Sequence, residues 1–278
     1  MPELVKSYET KWGIKTGSPI ENLSINYVQN AQAREGQAVL KIGFPEDQVF
    51  LYEIKALEVF NGNGAVRIIR EDFENSVVLL ESCIPGKSLD TINDEEKENL
   101  IFTNVSKRIW RRVFEDSEFP KLSDEIKYFD WYFSNKKAAT LLPVELVTKA
   151  KEKFEALIKA QKDLYLLHGD LHHGNILSSE RGWLSIDPKG IVGEREYEIA
   201  SFITNPRSRF ENNNDLIDKD YFAKKIESIA TILRFDKKKI TQWAFVKQVL
   251  SLIWTIQDHG KTDKLGLRIA TELEKLIS

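Results

Sequence analysis

Only one of the 278 residues is a cysteine, Cys83, so no disulfide framework can hold this chain together. Such sparing use fits a reducing cytoplasm. Apolar residues make up 42% of the chain, yet nowhere do they run long enough to span a bilayer. The N-terminal stretch MPELVKSYETKW has no apolar core of the secretory-signal kind. Positive charge is not in excess either. A net charge of −3 and a pI near 6.0 give no general basic surface for nucleic acid. Internal repeats and low-complexity segments are missing. These absences lead us to expect a cytoplasmic globular chain that binds neither membrane nor nucleic acid, with a substantial core in one or two domains.

Histidine is scarce as well, but three of the four fall inside six positions of LHGDLHHGN, residues 167–175. His168 and His172 stand four apart, the spacing at which two imidazoles on one helix face chelate zinc. Gly169 and Gly174 argue against a helix there, since glycine in a helix interior is about 1 kcal/mol less favourable than alanine. Gly169 also occupies the place where the zinc-protease pattern requires glutamate, and no second His or Cys cluster completes a ligand set. The segment reads better as a loop. The apolar run LYLL precedes it; NIL and WLSID follow as two short strands around the turn SSERG. Asp170, then Asn175 five residues on, then Asp187 twelve further, form the arrangement that phosphoryl transfer in the protein-kinase fold requires. One carboxylate accepts the hydroxyl proton; an amide oxygen and a second carboxylate hold Mg²⁺, an ion content with few protein ligands.

That chemistry needs a lysine on a strand and a glutamate on a helix upstream. QAVLKIGFP supplies the strand, with Ala38, Leu40 and Ile42 on one side and Lys41 on the other. After Pro45, a helix reads from Val49 through Glu53, Ala56/Leu57 and Phe60, and NGNG stops it. Glu53 is then placed to pair with Lys41. AVRIIR and SVVLLESCI follow as a hairpin around EDFENS. PGKS (Pro85 to Ser88) imitates the tail of a phosphate-binding loop, but Glu81 stands where that motif needs glycine, so the segment is a connector.

Taken together, LLHGDLHHGNIL, IDPKGIVGE and YEIA, with GNGAVRII and PGKSL upstream, resemble the aminoglycoside/hydroxyurea antibiotic-resistance kinase family, from about Val39 to about Gly260. The resemblance implies a two-lobed α+β protein-kinase-like fold and an ATP-dependent O-phosphotransferase. It assigns Asp170 as catalytic base, Asn175 and Asp187 to Mg²⁺, and Lys41 with Glu53 to the nucleotide phosphates. Glu81 to Cys83 become the hinge that meets adenine. Residues 1–82 form the small lobe, 83–88 the hinge and 89–278 the large lobe. Departures are visible too. No glycine-rich loop precedes Lys41, so Ser24 or Asn26 would have to help cover the phosphates. Gly169 replaces the arginine that activation-loop control uses, and DPK replaces Asp-Phe-Gly. Both departures point to a constitutive small-molecule kinase.

Beyond the hinge the chain reads as helices. The first opens at Asn93 and Glu96 in capping-box spacing and runs on through Ile101, Val105, Ile109 and Val113. A second passes through Val147, Ala150, Phe154 and Leu157; a third through Trp243, Val246, Leu250 and Ile253, ending at Gly260. The aromatic stretch EFPKLSDEIKYFDWYF either borders a substrate cleft or covers the large lobe. The implied acceptor is a cationic aminocyclitol of the streptomycin type, and Glu194 and Asp258 are the carboxylates expected to hold it. Kinases for hydroxyurea or a metabolite, and a catalytically silent nucleotide-binding protein, are the alternatives. His168 and His172 are expected to brace the loop, Glu198 to buttress it, and His173 to be least constrained.

Overall fold

A computed structural model describes residues 1–20, 26–44, 47–113 and 117–277, so Ser24 lies outside the described residues. Helix α1 (Pro2–Trp12) leads into strands β1 (Lys15–Pro19), β2 (Tyr27–Ala33) and β3 (Gly36–Ile42); α2 (Gln48–Phe60) then precedes β4 (Ile68–Asp72) and β5 (Val77–Glu81). The five strands form one antiparallel sheet in the order β1-β2-β3-β5-β4. Strand alternation gives the sheet two faces. Ala38, Leu40, Ile42, Val77 and Leu79 pack on the outer face against Val5 and Tyr8 of α1. The Tyr8 hydroxyl donates to Asp72 at 2.6 Å and anchors that helix. On the inner face Lys41 sits in register between Val28 and Val78.

Helix α2 begins at an Asp47 cap, whose carboxylate accepts from the Val49 amide, and ends at Asn61 in the left-handed conformation. Its buried face carries Phe50, Glu53, Ile54, Leu57 and Phe60. Val49, expected on that face, is exposed instead: the stripe is set by Phe50, Ile54 and Leu57.

The second lobe is mainly helical: α3 (Glu95–Ile109), α4 (Ile126–Ser134), α5 (Ala138–Leu141), α6 (Val144–Ala160), α7 (Arg195–Ile203), α8 (Arg207–Asn212), α9 (Lys219–Leu233), α10 (Lys237–His259) and α11 (Lys264–Glu274). Short strands β6 (Arg111–Arg112), β7 (Tyr165–Leu167) and β10 (Ile191–Gly193) form one small sheet, and β8 (Ile176–Ser179) with β9 (Gly182–Ser185) a hairpin. Two expectations for α3 are corrected. Its cap is Asp94, which accepts from the Lys97 amide, and the helix ends at Ile109 because Arg111 and Arg112 pair with β7. Helix α10 lies at the centre of the lobe, packed on α6, α7, α9 and α11, with Trp243, Phe245, Val246 and Leu250 fully buried.

The connection between lobes is tied down by side chains and backbone alike. Gly86 N–H donates to the Ser178 carbonyl, and Ser178 N–H to that of Lys87, so PGKS runs along β8 as a connector. Arg181 in the β8–β9 turn pairs with Glu81 and also donates to the carbonyls of Gly62 and Ala65.

Candidate active site

The loop between β7 and β8 is held from beneath. Glu198, fully buried on α7, accepts the backbone N–H groups of His168 at 2.7 Å and Gly169 at 3.0 Å. Burial pushes its carboxyl up to about 7, opposed by Lys247 and by these amides. His168 is also fully buried. Its Nδ1 accepts from the Asp170 amide at 3.3 Å, so its Nε2 carries the proton and donates to the Ile186 carbonyl at 2.7 Å. Burial drives its pKa down to about 4, which keeps the ring neutral. His172 Nδ1 accepts from the Gly174 amide at 3.0 Å. Gly169 is required by conformation and by space: φ is +84°, and a Cβ there would meet Ile191 at 2.9 Å.

His173 corrects an expectation, since it is tightly held. The ring is fully buried, stacked on Phe202 at 4.2 Å, with Nε2 3.3 Å from Glu98, which in turn pairs with Arg209. Burial lowers its pKa to about 3.

Asp170 projects from this braced loop. Ser201 donates to its Oδ1 at 3.2 Å, and Lys189 Nζ lies 3.3 Å from its Oδ2. Burial alone would raise its carboxyl, but Lys189 and Lys247 outweigh burial and hold it well below the usual range. Asn175 donates its Nδ2 to the Asp170 carbonyl at 3.0 Å, which leaves the amide oxygen for another partner. Asp187 has φ +56°, an uncommon backbone state for a residue other than glycine, and its Oδ1 accepts from Lys41 at 2.9 Å. Lys41 also donates to both Glu53 oxygens, at 2.6 and 2.8 Å. Burial opposes the charge on Lys41, but Glu53 and Asp187 outweigh it and raise its pKa. The structure therefore brings Lys41 of β3, Glu53 of α2, Asp170 and Asn175 of the β7–β8 loop, and Asp187 beyond β9 into one cleft.

Two cavities open on either side of the Asp187–Lys189 segment. One, of about 340 Å³, has aliphatic walls including Val28, Val39, Leu80 and Leu177; Lys41 and Asp187 lie at one part of its lining and Glu81 to Cys83 at another. The Glu81 carboxylate itself is taken by Arg181 and the Arg67 amide, and the backbone N–H groups of Glu81 and Ser82 donate to the Arg67 and Gln37 carbonyls. Burial pushes the Cys83 thiol up to about 11, which makes it an inert lining residue.

The second cavity, of about 430 Å³, is lined by Tyr52, Glu125, Tyr128, Lys189, Trp254 and Asp258, among others. Tyr128 meets Trp254 edge-on at 5.7 Å, and Lys189 Nζ sits 5.4 Å from the Trp254 ring centre. Asp258 is here as expected from its helix end; Glu194 is not. Glu194 is buried, and its carboxylate is taken by the Trp243 indole N–H and the Lys239 ammonium inside the large lobe. The acid on this wall that sequence reading missed is Glu125, half-buried at the start of α4, whose carboxyl burial raises. Its one signal was its place in the aromatic stretch that either lined the cleft or covered the lobe.

A strand lysine paired to a helix glutamate, two oxygen donors and a carboxylate on a braced loop, set between two lobes, define a kinase-like phosphotransferase. Sequence comparison gives the family: residues 12–259 match the model of the aminoglycoside/hydroxyurea antibiotic resistance kinases, and the chain belongs to that family. A streptomycin 6-kinase of Streptomyces glaucescens is 22% identical over 262 residues, covering 93% of this chain and 84% of that protein. A streptomycin 3''-kinase of Klebsiella pneumoniae is 33% identical over 103 residues, 37% of this chain and 39% of that protein. Among solved structures, choline kinase LicA from Streptococcus pneumoniae shares the fold with a TM-score of 0.66 at 13% identity, covering 99% of this chain and 98% of that one. So does aminoglycoside phosphotransferase APH(4)-Ia in a complex with AMP-PNP and hygromycin B, with a TM-score of 0.63 at 12% identity, covering 100% and 98%.

Proposed function

We propose that this enzyme transfers the γ-phosphoryl group of ATP to a hydroxyl of a small cationic acceptor in the cytoplasm, most consistently an aminoglycoside of the streptomycin type. The observation that carries the acceptor class is the second cavity. It sets two carboxylates, Glu125 and Asp258, around Tyr128 and Trp254 beside the Asp170 loop, with Lys127 and Lys189 lying over those two rings on the same wall. Carboxylates recognise guanidinium and ammonium groups by charge-assisted hydrogen bonds, and aromatic faces add attraction for cations. Hydroxyurea, small and neutral, would make no use of the charge on either acid.

In this reading the aliphatic cavity takes the adenine against the hinge backbone, and Lys41 faces the phosphates. Asn175 and Asp187 offer an amide oxygen and a carboxylate, a donor set that suits Mg²⁺, which prefers oxygen ligands and keeps several waters. Among the described residues no group of three His, Cys, Asp or Glu side chains forms a competing metal cage. Mg²⁺ bound there would neutralise phosphate charge. Asp170 orients the acceptor hydroxyl and takes its proton as the new oxygen–phosphorus bond forms, the bond to the bridging oxygen breaks and ADP leaves. Because its carboxyl is held low, proton transfer comes late and orientation is the larger service. Lys189, half exposed beside Asp170, offers positive charge to the passing phosphoryl oxygens.

The test is ATP consumption with a panel of aminoglycosides, hydroxyurea and neutral sugars, followed by mass spectrometry for an added phosphate. Phosphorylation of cationic aminocyclitols supports the reading. Phosphorylation of neutral compounds alone removes the acceptor class and leaves the phosphotransferase standing.

A further inference from the structure

Lys247 lies in the interior of the large lobe, only 6% exposed, at a position of α10 that carried no sequence signal of its own. Its Nζ donates to the Gly169 carbonyl at 2.7 Å and stands 4.2 Å over the Tyr197 ring. The Gly169 peptide neighbourhood is therefore gripped twice: its N–H by Glu198 of α7, its carbonyl by Lys247 of α10. A buried ammonium between two carboxylates, Asp170 and Glu198, also balances charge that the lobe's interior would otherwise hold uncompensated.

The helix carries this grip further. Lys247, Ser251, Trp254 and Asp258 recur at spacings of four, three and four, one stripe of α10. Its far end, Trp254 and Asp258, lines the acceptor cavity. At about 1.5 Å per residue the stripe spans about 16 Å, from the catalytic loop to the acceptor wall.

We propose that Lys247 is a positioning residue for phosphoryl transfer: it fixes the Gly169–Asp170 turn, counter-charges the base, and joins that turn rigidly to the acceptor-binding end of α10. The proposal rests on Asp170 as the base. The groups facing the ammonium are Asp170 and His172 from the loop, Lys189 beyond β9, Tyr197 and Glu198 from α7, and Glu125 ahead of α4. Burial lowers its pKa to about 8, the two carboxylates opposing. Lys247 is then protonated at neutral pH and loses its charge as pH rises through about 8.

The experiment measures kcat, KM for ATP and KM for streptomycin across neutral and alkaline pH in wild type, K247M and K247R, with rates referred to folded enzyme by circular dichroism. Wild-type kcat should fall on the alkaline side near pH 8. K247M should lose roughly a hundredfold in kcat, the size of a misplaced reacting group, keep its KM for ATP and lack that alkaline limb. K247R should recover part of the rate and hold it past the limb. Full kcat per folded K247M molecule, or an unchanged limb in K247M, overturns the proposal. If wild type does not phosphorylate streptomycin, the acceptor reading is what fails. Lys247 is then judged without an acceptor, as it is if the variants do not fold, by NMR titration of carbon-13-labelled lysines. One resonance titrating near pH 8 that moves to lower pH in D170N upholds the coupling; no lysine responding to D170N overturns it.

Discussion

The two cavities are built on opposite plans. On the nucleotide side the charges are already paired: Lys41 is clasped by Glu53 and Asp187 within an aliphatic wall. On the acceptor side Glu125 and Asp258 form no salt bridge among the described residues, and the wall is aromatic. Paired charges in a low-dielectric setting hold geometry, whereas Glu125 and Asp258 share their wall with Lys127 and Lys189 without a fixed ion pair of their own. The first plan suits a cosubstrate whose phosphates always arrive the same way; the second suits a ligand recognised by its charge and its faces.

Breaking the chemistry between the cavities should have the largest effect. D170N keeps the side chain's shape and should lower kcat by roughly 10²–10⁴-fold, with KM for ATP nearly intact. Steady-state rates and a melting curve check it; a lost melting transition with undiminished rate per folded molecule would reassign Asp170 to loop stability. Next comes the nucleotide side. N175A and D187N should each raise the Mg²⁺ concentration needed for half-maximal rate, and their losses should combine non-additively in a double-mutant cycle. Asparagine is the appropriate choice at Asp187, because it tolerates the left-handed backbone there. Fully additive losses would place the two residues at separate sites.

The acceptor side should break more gently and more selectively. E125Q combined with D258N should raise KM for a cationic acceptor about ten- to a hundredfold, from charge-assisted contacts of roughly 1.5–3 kcal/mol, and leave KM for ATP unchanged. An unchanged acceptor KM would strip both carboxylates of that role. The smallest kinetic effect is expected from E194Q. Since that carboxylate faces Trp243 and Lys239 inside the lobe, the substitution should lower the melting temperature and leave both KM values alone. A raised acceptor KM in E194Q would redraw the acceptor wall.

The cluster around Lys41 and Asp170 was legible in sequence because its residues lie in short runs whose spacing the proposed chemistry dictates. Asp170, Asn175 and Asp187 fall within one loop and hairpin, and Lys41 and Glu53 within one strand and the next helix. The acceptor wall was not legible. Tyr52, Glu125, Tyr128 and Trp254 come from three distant helical stretches, and each reads in sequence like an ordinary residue of an amphipathic helix. Glu194 misled because it follows DPKG so closely; strand β10 and the start of α7 carry it into the interior. His173 misled in the other direction, as no local pattern reveals that Phe202 and Glu98 close over it. Helix α1 went unread altogether, although it covers the outer sheet face whose alternation in β3 was plain.

Among the described residues, none that lines the nucleotide cavity also lines the acceptor cavity. The boundary runs between Asp187, on one side, and Lys189, on the other. Selection can therefore work on the two walls independently. In the proposed reading, a change at Tyr128, Trp254 or Glu125 would retune which acceptor is admitted while every contact around Lys41 stays in place. Such a partition makes the scaffold evolvable: new acceptor preferences can be sampled by single substitutions without forfeiting the ability to use the phosphoryl donor.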